Sequence, residues 1–205
     1  MGGRVMSTAR AAAVAAVLAA GLGGAAARGW AADAVPGHIE AGLRAYQRGD
    51  VTVAARELQA AVMDLQERLG QNLAQAMPPV PAGWQAEDPE IEGLGSVGGG
   101  LSVTRAYTRD DSSLNVSIIL DSPAVDAAAA LLVNPTAQPN LKRVKVGAED
   151  ALLRWDPAAR SGEVTLVVAN RVLLQIEGDS LANGDALVDL AKGFNLAAVR
   201  RLLAA

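Results

Sequence analysis

The chain has 205 residues with 18 basic and 22 acidic side chains, a net charge of −4, one histidine, no cysteine and 3% aromatic residues. Without cysteine there is no disulfide, no thiol nucleophile and no lipidated cysteine, and a single histidine leaves too few ligands for a zinc site built from three or four His/Cys side chains. An acidic balance with no basic tract argues against nucleic acid and against anionic membrane surfaces as partners.

The first residues have the pattern of a secretory leader. Arg4 and Arg10 give a positive start, Ala11 to Leu22 is an uncharged apolar run, and small residues dominate through Ala27. Ala25-Ala26-Ala27 and Ala32-Asp33-Ala34 both satisfy the small-x-small rule, so residues 1–34 are expected to be a signal peptide cut after Ala27 or Ala34. The other reading is a retained anchor, but the run is short and alanine-rich against the ~20 apolar residues of a spanning helix. Membrane contact is therefore expected only through an uncleaved leader, and the mature chain is expected in the periplasm or outside the cell. The roughly 170 residues that follow suffice for one domain plus a small appendage.

Residues 35–77 read as a helical hairpin. Ile39, Leu43 and Tyr46 recur at helical spacing, and Gly49-Asp50 supplies a left-handed stop followed by a cap for the next helix. Leu58, Val62, Leu65, Leu69 and Leu73 then repeat at three- and four-residue steps, while Ala54, Ala55 and Ala61 permit close approach of the first helix. This stripe has two readings: the seam onto the first helix and the sheet, or an interaction surface for a partner helix. On the first, Leu65→Asp buries a charge and unfolds or detaches the hairpin. Ala45-Tyr46-x-x-Gly49-Asp50-x-x-x-Ala54, with Leu58 and Ala61, resembles one tetratricopeptide repeat. A peptide groove in that family needs about three stacked repeats, so its peptide binding does not follow from a single copy.

Residues 78–84 form a stiff proline-rich linker ending at Trp84, a residue expected to anchor the linker or first strand in the core. From 85 to 205 the period changes to two. Glu87 to Gly100 reads as an acidic, then glycine-rich loop. Strands are expected at Leu101–Thr108, Leu114–Leu120, Leu141–Val146, Ala151–Trp155, Val164–Val168 and Val172–Ile176. Asn170-Arg171 reads as a tight hairpin between the last two. Ser122-Pro123 starts a helix over Ala124–Val133, Asn134–Asn140 is a loop, and Asp185–Lys192 and Leu196–Leu203 are helical, the last capped by Asn195. Short connections imply antiparallel pairing. The fold class is α+β: an N-terminal helical hairpin and an antiparallel sheet covered by helices, the single apolar face per strand implying either helices on one side or a sheet with only one face fully packed.

The order of a hairpin-connected sheet, an inserted helix and closing helices resembles the Mog1/PsbP-like class of folds, which implies no activity. Tyr46 to Asp50, Pro79 to Trp84 and Asp121 to Pro123, in that order, resemble a group of small secreted bacterial proteins of unknown function.

The candidate chemistries are weak. Gly93-Leu94-Gly95-Ser96-Val97-Gly98 fits G-x-G-x-x-G, but a strand-like segment follows where a dinucleotide site needs a helix. Asp88 to Gly93 begins like a calcium loop, yet its inner positions are Glu and the residue due to be Glu is Gly99. His38 reads as a surface residue at a helix start. Asp110-Asp111 and Glu149-Asp150 read as turn residues rather than paired catalytic carboxylates. Arg154, Arg160 and Arg171 lie near strand ends, as a solvated face or an anion patch. The chain is thus read as a non-enzymatic interaction module with no cofactor and no metal, presenting Leu58, Val62, Leu65, Leu69 and Leu73 to an envelope protein. The alternative is a small-ligand or lipid carrier with a pocket between sheet and helices.

Overall fold

Glycine at 49 sets the first corner of the fold. In the computed structural model, which describes residues 33–134 and 140–204, helix α1 (Ala34–Gln47) ends where Gly49 takes φ +82°. There the Asp50 N–H donates to the Ala45 carbonyl and the Gly49 N–H to that of Tyr46, a Schellman closure. Asp50 then caps helix α2 (Val51–Ala74), its side chain accepting from the Val53 N–H at 3.1 Å. The expected leader lies almost wholly outside the described residues, as do residues 135–139 of the expected loop.

The sheet follows with β1 (Gln85–Ala86), β2 (Glu90–Gly93), a 3-10 turn at Gly95–Val97, β3 (Leu101–Arg109) and β4 (Ser112–Leu120). Helix α3 (Pro123–Val133) crosses to β5 (Leu141–Val146), and β6 (Glu149–Asp156), β7 (Ser161–Val168) and β8 (Val172–Asp179) return as a meander. Helices α4 (Asp185–Ala191) and α5 (Leu196–Ala204) close the chain, α5 with Asn195 accepting from the Ala198 N–H. All eight strands pair antiparallel, in the order β1-β3-β4-β8-β7-β6-β5, and β2 shares with β1 the outer edge of β3. The class is α+β, as the patterning required.

Register explains the core. Val103, Ile118, Leu174, Leu166, Ala151 and Val144 stand in one row across six strands, all on one face. Leu73 and Met77 at the end of the hairpin, Leu187 and Leu190 of α4, Phe194 and Val199 of α5 join this face in a single hydrophobic cluster. The other face carries Ser102, Thr104, Ser117 and Gln175, with α3 over part of it; Val125, Leu152 and Leu173 are buried there, apart from the main cluster. One face is therefore fully packed and the second only partly.

Three expectations need correction. Glu87 to Gly100 is not wholly a loop, because Ile91 of β2 pairs with Val103 and packs toward Gly70 of α2, where any Cβ would stand 2.4 Å from Ile91. The hairpin between β7 and β8 turns on Ala169 and Asn170, both at positive φ, one residue earlier than the sequence suggested. The leucine stripe of α2 is not one seam. Leu73 is 1% exposed and Leu69 partly buried, but Leu58, Val62 and Leu65 are 46, 45 and 50% exposed. The helix-to-helix seam is made instead by small residues, Gly42 and Ala45 of α1 and Ala54 and Ala61 of α2. Leu65→Asp therefore puts its charge at the surface and not in a seam.

Candidate functional site

Two features of this scaffold stand out as sites: an uncovered apolar face on the hairpin and an apolar pocket beneath the linker. On α1, Ile39, Leu43 and Tyr46 are exposed, and each directly follows a less exposed residue of the seam side: His38, Gly42 and Ala45. On α2, Leu58, Val62 and Leu65 likewise follow Glu57, Ala61 and Asp64. One residue is a turn of about 100° about the helix axis. In an antiparallel pair the same step from the seam on both helices brings the two stripes to the same side. Leu58 lies where they meet, its Cγ 2.9 Å from the position a Cβ on Gly42 would take. Gln66 and Gly70 of α2 lie against Gly93 and Ile91 of β2, whereas Leu58 lies against Gly42 of α1. Of the five stripe residues, the structure thus places three on an open face, Leu69 at its margin and Leu73 in the core.

The pocket has a volume of about 380 Å³. Pro79, Val80 and Trp84 wall it on one side, Leu181 and Leu190 on the other, and Arg109 and Asp189 bring charge to it. Its linker wall is fixed. The buried Tyr107 hydroxyl donates to the Pro78 carbonyl at 2.9 Å, and the Asn195 N–H to the Ala76 carbonyl at 2.9 Å. Burial holds the Tyr107 phenol above its ordinary pKa, so it keeps its proton and goes on donating. Arg109 lies over the Trp84 ring, its guanidinium carbon 4.7 Å from the ring centroid.

The remaining candidates are engaged in structure. His38 is half-buried, and its Nδ1 donates to Glu57 Oε2 at 2.9 Å across the hairpin. It is a tie between helices rather than the surface residue expected, and its hydrogen bond holds the Glu57 carboxyl below its usual range. Glu149 and Asp150 open β6 rather than forming the turn expected, because they pair with Val146 and Lys145 of β5; Glu149 also pairs with Arg200 and Asp150 with the Lys145 side chain. Arg154 pairs with Glu163, Arg160 donates to the Ser180 and Leu181 carbonyls, and Arg171 makes two bonds to Asp121, at 2.9 and 2.7 Å. The three arginines do not converge on an anion site. Asp110-Asp111 forms the turn between β3 and β4. The Gly93–Gly98 motif leads through the 3-10 turn into β3, so no helix N-terminus meets it. Among the described residues no three His, Asp or Glu side chains come together as metal ligands, and no helix is long and apolar enough to cross a membrane.

Sequence reasoning singled out Ile39, Leu43 and Tyr46 without seeing that they remain open. It missed Arg109 as a site residue. The signal available was Pro78-Pro79-Val80-Pro81, an apolar linker leading straight to a tryptophan. No protein-family model, no curated protein and no solved structure matches this chain.

Proposed function

We propose that the chain is a non-enzymatic protein-interaction module of the bacterial envelope, exported through its N-terminal leader, and that a partner helix docks on the open face of the hairpin. The observation that carries this reading is the pair of adjoining apolar stripes, Ile39/Leu43/Tyr46 and Leu58/Val62/Leu65. Monomeric proteins rarely leave such a patch uncovered, and side chains at i, i+4 and i+7 form the kind of apolar helix face that pairs with another helix. The commitment of His38, Glu149 and Asp150 to ion pairs supports a non-enzymatic role. The order of Tyr46–Asp50, Pro79–Trp84 and Asp121–Pro123 supports kinship with the small secreted bacterial proteins it resembles. The helix between β4 and β5 and the two closing helices support the Mog1/PsbP-like comparison for the sheet.

The test is recovery of a partner with the tagged, exported protein, wild type against a Leu58→Ser/Leu65→Ser variant. A partner held by the wild type and lost by the variant, with melting temperature unchanged, is the expected result. Equal recovery by both proteins contradicts this reading. A second reading, a small-ligand carrier, is favoured by one observation: the apolar pocket between the linker, the end of the sheet and α4.

A further inference from the structure

We propose that the pocket beneath the linker binds an acyl carboxylate, a medium-chain fatty acid, with Arg109 reading the carboxylate and the proline–leucine walls holding the chain. This rests on the carrier reading and adds the ligand class and the residue that selects it.

The volume, about 380 Å³, falls in the range of small-molecule sites, and its walls are mainly apolar, which suits a hydrocarbon body. The polar groups then decide what head the ligand carries. Arg109 is the cation at the pocket, and no carboxylate among the described residues pairs with it, whereas Arg154, Arg171 and Arg200 each have one. A cation–π contact with Trp84, 4.7 Å from the guanidinium carbon to the ring centroid, orients the group. A guanidinium can offer a two-pronged bond to a carboxylate while its carbon stays over a ring. Asp189, the acid at the wall, is bonded to Lys192 Nζ at 2.8 Å rather than to Arg109. A cation with an orienting aromatic and an uncompensated charge, beside an apolar cavity, is complementary to an amphiphilic anion.

The walls are also formed in advance. Tyr107 fixes Pro78, and Gly193 brings the turn after α4 so close that a Cβ there would lie 3.1 Å from Pro78 and 3.3 Å from Pro79. Little ordering is left to oppose binding.

The experiment titrates the exported chain with decanoate and, separately, with decanol, below the concentration at which either aggregates. Binding is followed by tryptophan fluorescence and by calorimetry. Decanoate is expected to bind saturably at one site, with decanol about tenfold to a hundredfold weaker, the span of a hydrogen bond to a charged group. Arg109→Gln is expected to bring decanoate down to the level of decanol without moving the melting temperature. Trp84→Phe, which keeps a stacking ring, is expected to retain most of the preference. Equal binding of decanoate and decanol overturns the carboxylate assignment and leaves the carrier reading standing. Absence of binding by both overturns the two together.

Discussion

The two halves of α2 carry the same leucine spacing and have opposite fates. Leu69 and Leu73 join the core beneath β2 and β3, while Leu58, Val62 and Leu65 stay about half-exposed. The difference lies in what stands opposite each half. The C-terminal half faces a sheet row of Val103, Ile118 and Leu174, and Gly70 lets Ile91 come in close. Earlier in the helix α2 packs on α1, and the pair closes through Gly42, Ala45, Ala54 and Ala61. Small residues bring two helices so near that the large side chains are turned to the flank. Periodicity thus identifies an apolar face, but the partner that covers it is decided by residues elsewhere in the chain.

The comparison can be broken by substitution. The largest effect is expected at Leu73, where truncation to Ala leaves a cavity in the shared core and costs about 2–5 kcal/mol in chemical denaturation. Leu65→Asp, at the same spacing but on the exposed flank, is expected to stay within about 0.5 kcal/mol of wild type, the usual range for a surface site. If Leu65→Asp unfolds the protein, the division of α2 into two halves is wrong. Gly70→Ala is next: the added methyl collides with Ile91 and should cost about 1–3 kcal/mol, the usual range for overpacking, with the clash removed by adding Ile91→Ala.

Smaller effects sharpen the picture. Tyr107→Phe removes the donor to the Pro78 carbonyl and should cost about 0.5–1.5 kcal/mol. It should also speed amide exchange in the linker without disturbing the hairpin. The smallest concerns Asp121. Its hydrogen bond to Arg171 holds its carboxyl below the ordinary value of 3.8, so folding is favoured by the ionised form. That contribution is complete above this value and is lost as pH falls through the lower folded-state range. Asp121→Asn should therefore lower stability at neutral pH and make the acid limb of the stability curve shallower. An unchanged acid limb means that the pair contributes nothing.

Local chemistry was well written in the sequence. Gly49-Asp50, Ser122-Pro123 and Asn195 each perform the cap or stop their residue types imply, because these are backbone hydrogen bonds made within a few residues. The alternation over Leu114–Leu120 gave its buried face for the same reason. Less legible was whatever depends on a distant partner. Glu90-Ile91-Glu92 looked like a solvated loop, because an edge strand carries its charges outward and only Ile91 reveals the sheet. His38 looked exposed until Glu57, nineteen residues away, was brought across the hairpin. The pocket joins linker, β3 and α4, three segments whose meeting no local pattern encodes, and Arg109 at the end of β3 resembled any charged turn residue.

The central claim is that the open face of the hairpin is where this protein meets its partner. The direct measurement is site-specific photocrosslinking in cells, with the reactive side chain placed at Leu58 or Leu65 on the hairpin and at Gln175 on the open face of the sheet. The account predicts one discrete adduct from both hairpin positions and none from Gln175. Adducts from Gln175 alone would contradict it and move the binding surface to the sheet.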